Sequence, residues 1–205
     1  SPLIQGLLKL YPEMSIDLQT SARKMSLTSE GFDLSLRLVT PGELSDEDTV
    51  LCWNRRLFCA APAYLERHGP PGHPEELGNH NCLLMRYGNS PDFWKFTEGN
   101  AMGRVSVAGT FASNNAMALA DAAAAGVGVA QLGPYVIGDH LREGRLVRIL
   151  DGFEPLETAV TVMISGGSLA SRNATLFLDY LKDAWPEDWP TERRSVPEAR
   201  LRVAS

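Results

Sequence analysis

Apolar and polar positions alternate along this chain with two different periods. Leu3, Ile4, Leu7, Leu8, Leu10 and Tyr11 recur at the 3.6-residue spacing of one helix face, and Pro12 stands just past its end. Met14, Ile16 and Leu18 then alternate with Ser15, Asp17 and Gln19, the period of a half-buried strand. A short helix over residues 26–31 closes on Gly31. Leu34, Leu36 and Leu38 alternate with Ser35 and Arg37 in a second strand. Helix, strand, helix, strand predicts an α/β fold with parallel pairing.

The pattern continues with extended runs over residues 50–53 and 56–61. A short helix follows, with Pro62 in its first turn and Gly69 after its end. Pro70, Pro71, Gly72 and Pro74 read as a linker. Strands are predicted over residues 82–87, 93–96 and 105–112. Ser113, Asn114 and Asn115 start an alanine-rich helix over residues 116–125, and Gly126 stops it. A strand over 127–132, a helix over 135–143 and strands over 146–150 and 159–164 follow. Ser171 caps a last helix with Phe177, Tyr180, Leu181 and Ala184 on one face. Residues 187–205 hold prolines and charges without apolar period and read as a flexible C-terminal tail.

Composition narrows the class. The 205 residues are 44% hydrophobic and 21% charged, as in a soluble globular protein of one or two domains. The net charge of −6 opposes binding to a phosphate backbone. Cys52, Cys59 and Cys82 have no metal spacing and read as reduced cytosolic thiols. No signal segment or membrane-length apolar run is visible. The chain opens on Ser1-Pro2 rather than Met, so further residues are expected upstream.

Catalytic signatures are missing from the sequence. His68, His73, His80 and His140 have no metal-ligand spacing, and there is no GxSxG elbow or phosphate loop. Gly126-Val127-Gly128 lacks the third glycine of a dinucleotide fingerprint and follows a helix rather than a strand. The acidic runs Glu75-Glu76 and Asp46-Glu47-Asp48 read as solvated. No catalytic residue, metal or cofactor is expected. Binding signals are better. The Ser113-Asn114-Asn115 helix start suits an anion, or is a plain cap. Ser21 follows a strand directly, where α/β sheets bind ligands, or is a turn serine. Arg37 interrupts a leucine-rich strand and is either a carboxylate clamp or the partner of an internal acid.

These residues also stand in a family order. Residues 11–18 (YPEMSIDL) and 30–37 (EGFDLSLR) resemble the effector-binding domain of LysR-type transcriptional regulators. Residues 56–65 (RLFCAAPAYL), 74–77 (PEEL), 93–96 (FWKF), 125–130 (AGVGVA) and 144–147 (GRLV) continue the match in register. The resemblance implies an α/β type 2 periplasmic-binding-protein fold. Two Rossmann-like subdomains would be joined by two crossover strands, near residues 58–62 and 159–164, with a small effector in the cleft. Subdomain I would be residues 1–60 plus 163–186, its first strand missing, and subdomain II residues 61–162. Effector contacts would fall on Ser21, Arg37, Leu38, Ser113 and Asn114, favouring a small polar or anionic ligand. The resemblance further implies a cytoplasmic homodimer, pairing helix 3–11 with helix 116–125, which contacts DNA only through an absent N-terminal winged helix-turn-helix. It also places a proline after the strand ending at Leu132, where this chain has Gly133. The alternatives are a transporter's solute-binding protein or an enzyme on the same fold.

Overall fold

A computed structural model describes residues 2–21, 26–86, 92–165 and 172–184. Helix α1 (Pro2–Leu10) has the apolar face expected of it and buries Leu7. It lies on α6 (Arg172–Ala184), and a Cβ on Gly6 would meet Tyr180 Oη at 2.3 Å, so glycine permits this approach. The expected cap Ser171 lies outside the described residues.

The strand expected over residues 14–19 does not form. The alternation persists in burial, since Met14 and Ile16 are half-buried between exposed neighbours, yet Leu18 stays 62% exposed. No described strand lies alongside, and a strand exists only as one rung of a ladder. The short helix α2 (Leu27–Glu30) does form and ends on Gly31 at φ +74°.

Strands β1 (Leu34–Val39) and β2 (Thr49–Asn54) flank β11 (Thr158–Ile164), each antiparallel to it. The expected parallel pairing is therefore replaced by a return strand from near the end of the chain. β1 and β2 still run in the same direction. A helix-side cluster of Val162, Leu178 and Leu181, with Leu3, Leu34, Leu51 and Phe177 against it, packs α1 and α6 onto this sheet. Removing one such leucine typically costs about 2–5 kcal/mol.

A second sheet has the order β7-β4-β8-β3-β9. Its strands are β3 (Leu57–Ala60), β4 (Cys82–Met85), β7 (Ala112–Ser113), β8 (Val129–Leu132) and β9 (Val147–Ile149). β4 is parallel to β7 and β8, while β3 is antiparallel to β8 and β9. Helices α3 (Pro62–His68), α4 (Ala116–Ala124) and α5 (Pro134–Arg142) accompany it. Leu119, Ala120 and Ala123 of α4 are buried in its core with Phe58, Tyr64, Leu83 and Ile137. The small side chains let the helix approach the sheet closely.

Strands β5 (Phe93–Glu98), β6 (Ala101–Ser106) and β10 (Phe153–Pro155) make a third, antiparallel sheet. Trp94 and Phe96 bring it into the same core, with Trp94 5.8 Å from Phe58 between ring centroids. β10 and the start of β6 were absent from the expected elements. They are short and lack a clear apolar period.

The chain passes from the first sheet to the second through Arg55 and Arg56, and returns to the first from β10 of the third sheet through Leu156 and Glu157. Residues 58–60 lie within β3 and residues 159–164 within β11, so both passages come earlier in the chain than the residues named for the crossovers.

Candidate functional site

Strand direction decides which edges meet. β1 and β2 both direct their carboxyl ends, Val39 and Asn54, towards the start of β11. In the second sheet, β4, β7 and β8 end at Met85, Ser113 and Leu132 on the edge where β3 begins. The carboxyl edges of both sheets therefore border the two passages. In α/β sheets this is where ligands bind.

The passages are fastened to each other. Asn54 Nδ2 donates to Thr158 Oγ1 at 3.2 Å, and Arg56 Nη2 donates to the Leu156 carbonyl at 3.0 Å. Arg55 Nε and Glu157 Oε2 lie 3.5 Å apart. Gly133, which opens α5, sits against this join. A Cβ there would lie 2.6 Å from Asn54 Oδ1 and 2.5 Å from Tyr135 Cε1. The backbone at Gly133 (φ −76°) would suit the proline implied by the resemblance, but the neighbours leave no room for its side chain. Proline instead occupies the next position, the first of α5.

Two buried polar atoms here lack a hydrogen-bond partner among the described residues, Asn54 Oδ1 and Gln131 Nε2. Asn54 is 1% exposed and Gln131 7%. Such atoms cost stability when left dry and mark where a water or ligand group would be welcome. Neither residue was singled out from the sequence. A lone Asn at a strand end and a Gln within an apolar strand carry no motif.

Arg37 has an internal partner. Its Nη2 lies 2.5 Å from Asp48 Oδ1, and the Asp48 side chain is 1% exposed. Asp48 also accepts from Thr161 Oγ1 (2.9 Å), Ser45 N (3.0 Å) and Ser45 Oγ (2.8 Å). Burial alone would push this carboxyl up. The hydrogen bonds from Arg37, Ser45 and Thr161 outweigh it and hold Asp48 well below the usual carboxylate range. The solvated reading thus suits Asp46 and Glu47, which are exposed, but not Asp48. Leu38, next along β1, is 49% exposed and pairs with Val160.

Ser113 and Asn114 stand at the carboxyl end of β7. The helix cap proper is Asn115, whose Oδ1 accepts from Met117 N at 2.9 Å. Ser113 Oγ accepts from Asn115 N at 3.0 Å, and the Ser113 carbonyl accepts from Arg86 N. Ser21 is exposed at the end of the extended segment after α1. The site residues thus divide between the two sheets, with Arg37 and Leu38 in one and Ser113 and Asn114 beside the other. Among the described residues no group of three His, Cys, Asp or Glu is placed to hold a metal ion. No described helix is long and apolar enough to cross a membrane.

A family model described as the LysR substrate binding domain matches residues 1–186. The chain belongs to that family. An uncharacterised HTH-type transcriptional regulator of Haemophilus influenzae is 29% identical over 169 residues, covering 80% of this chain and 57% of that protein. An HTH-type transcriptional regulator of Xanthomonas campestris pv. campestris is 30% identical over 188 residues, covering 88% and 54%. The chain spans about half the length of these curated relatives. Among solved structures, full-length AphB, a virulence activator of Vibrio cholerae, superposes with TM-score 0.75 at 22% identity, over 89% of this chain and 62% of that one. The regulatory domain of CrgA from Neisseria meningitidis gives 0.71 at 23%, over 89% of each. This LysR substrate-binding domain therefore has the mixed α/β, type 2 periplasmic-binding-protein fold implied by its sequence resemblance.

Proposed function

We propose that this LysR substrate-binding domain is the effector sensor of a DNA-binding transcriptional regulator. It binds a small polar or anionic molecule in the cleft between its two subdomains. The observation that carries this reading is the arrangement of two separately packed cores, connected through residues 55–56 and 156–157, with strand carboxyl ends facing that join. Subdomain I is the first sheet with α1 and α6, and subdomain II is the second and third sheets with α3, α4 and α5, so the boundaries expected at residues 60 and 162 are drawn instead at the two passages. Binding shifts the angle between subdomains by favouring one state over the other, with a coupling of about 1–3 kcal/mol.

Ser21, Arg37, Leu38, Ser113 and Asn114 are the proposed contacts, joined now by Asn54 and Gln131. Because Asp48 already neutralises Arg37, polar groups at the start of α4 carry more of the recognition than a bare guanidinium would. The signal passes through a cytoplasmic homodimer in which α1 of one copy meets α4 of the other. Leu10 (65% exposed), Tyr11 (42%) and Met117 (54%) support this pairing, since they remain uncovered after α1 and α4 have packed within the chain. DNA contact is made by an N-terminal winged helix-turn-helix, and the domain performs no reaction on its ligand.

Native mass spectrometry of the purified chain tests both parts. The expected result is a dimer that retains or takes up a small molecule from a carboxylate and polyol panel. A monomer that converts a panel compound would favour an enzyme, and a monomer that only binds would favour a solute-binding protein. Loss of binding in Ser113→Ala with retained folding would place the ligand at the α4 start; unchanged affinity would remove Ser113 from the site.

A further inference from the structure

The outer face of the β5–β6–β10 sheet is cationic in an otherwise acidic chain. Paired residues of an antiparallel ladder point to one side. The register sets Phe93 opposite Ser106, Lys95 opposite Arg104 and Thr97 opposite Met102. These six residues share one face, while Trp94, Phe96 and Val105 face the core. Lys95, Arg104 and Met102 are exposed, Met102 at 68%.

Two like charges directly opposite each other weaken a ladder. The Phe93 ring offsets part of this, since Lys95 Nζ lies 5.8 Å and Arg104 Cζ 6.0 Å from its centroid. Among the described residues neither cation forms an ion pair. Two nearby acids are taken, since Glu154 Oε1 accepts from Arg148 Nη2 at 2.5 Å and Asp92 Oδ1 accepts from Arg86 Nη2 at 2.5 Å, and Glu98 lies on the Trp94 and Phe96 side of β5. The result is a pair of uncompensated cations around an aromatic ring, beside an exposed methionine.

We infer that this face docks an extended acidic protein segment in which every second residue, the set that points to one side, is in turn a carboxylate and an apolar side chain. Lys95 and Arg104 take the carboxylates, and Phe93 and Met102 take the apolar positions. A nucleic acid fits less well. Its dense phosphate charge meets only two cations here against a net charge of −6 for the chain, whereas a short peptide brings few charges and adds apolar contact.

The test uses the 205-residue chain and a labelled short peptide in which every second residue is in turn Leu and Glu, with Ser between them, followed by fluorescence anisotropy. Its controls are the same peptide with Gln in place of Glu, and a short oligothymidine. Saturable binding of the acidic peptide, weakened by added salt, is expected. The double variant Lys95→Glu, Arg104→Glu should lower the affinity by about tenfold or more while melting as the wild type does. Met102→Ala, which alters no charge, should weaken binding less. The inference falls if the acidic peptide does not bind saturably, if the Gln peptide binds as well, or if the double variant keeps full affinity. Tighter binding of oligothymidine than of the peptide would assign the face to nucleic acid instead.

Discussion

Arg37 and Asp48 form a 2.5 Å ion pair that ties β1 to the segment entering β2, with Thr161 of the central strand β11 bonded to the same carboxylate. One acid thereby joins all three strands of the first sheet. Because Asp48 is buried, removing either partner strands the other charge in a poorly solvated place.

Asp48→Asn is therefore expected to lower stability by about 2–4 kcal/mol. The folded carboxyl titrates well below its unfolded counterpart. Its contribution is thus fully present above the unfolded value of about 4 and is lost as pH falls through the folded one. Urea melts from neutral pH downwards should show the gap between wild type and variant narrowing below about pH 4. A gap that stays constant would sink the assignment.

Gly133→Ala drives a methyl group into Asn54 Oδ1 and Tyr135. Overpacking of this kind costs about 1–3 kcal/mol. The same substitution in an Asn54→Ala background should cost less. A double-mutant cycle by chemical denaturation checks this, and additive effects would show that the two residues do not meet.

Cys59 and Cys82 are free and buried, and burial pushes each thiol up to about 12. At pH 8 only about one in ten thousand of either would be thiolate. Neither should react with iodoacetamide in the native chain, and both should react once it is unfolded. Peptide mapping after each treatment reads this directly, and native labelling at either site would contradict the packing described.

Tyr64 Oη accepts from Asn81 N at 3.0 Å and lies 3.2 Å from His80 Nδ1. Burial, then the nearby His68, push His80 below its ordinary value, and Glu76 opposes this only in part. The unfolded state therefore binds more protons just below pH ~6.5, and stability falls as pH drops from there. His80→Gln should flatten that slope in melting temperature against pH. Tyr64→Phe should cost about 1–3 kcal/mol, because it leaves the Asn81 N–H without its acceptor.

Much of the architecture was legible along the chain. The α1 face, the stop at Gly31, the start and stop of α4 and the last helix all follow from spacing and caps, which are local properties. The strand over residues 14–19 was misread because alternation describes a surface suited to pairing and says nothing about whether a neighbour is present. Leu36 and Leu38, which alternate with Ser35 and Arg37 along the strand, are 46% and 49% exposed, while Arg37 turns towards Asp48. The described sheet has β1 at its edge, so its leucines are only partly covered.

By itself, the order of residues determined the family, the α/β class and the places where helices begin and end. These rest on short-range rules and on motifs repeated in register over most of the chain. Only the tertiary structure decided that β11 returns to lie between β1 and β2, that Asp48 claims Arg37, and that Asn54 abuts Gly133. Each of these joins residues far apart along the chain, and Asp48 lies eleven residues from Arg37 but 113 from Thr161. Such pairings are set by how packed layers meet, which no local period encodes.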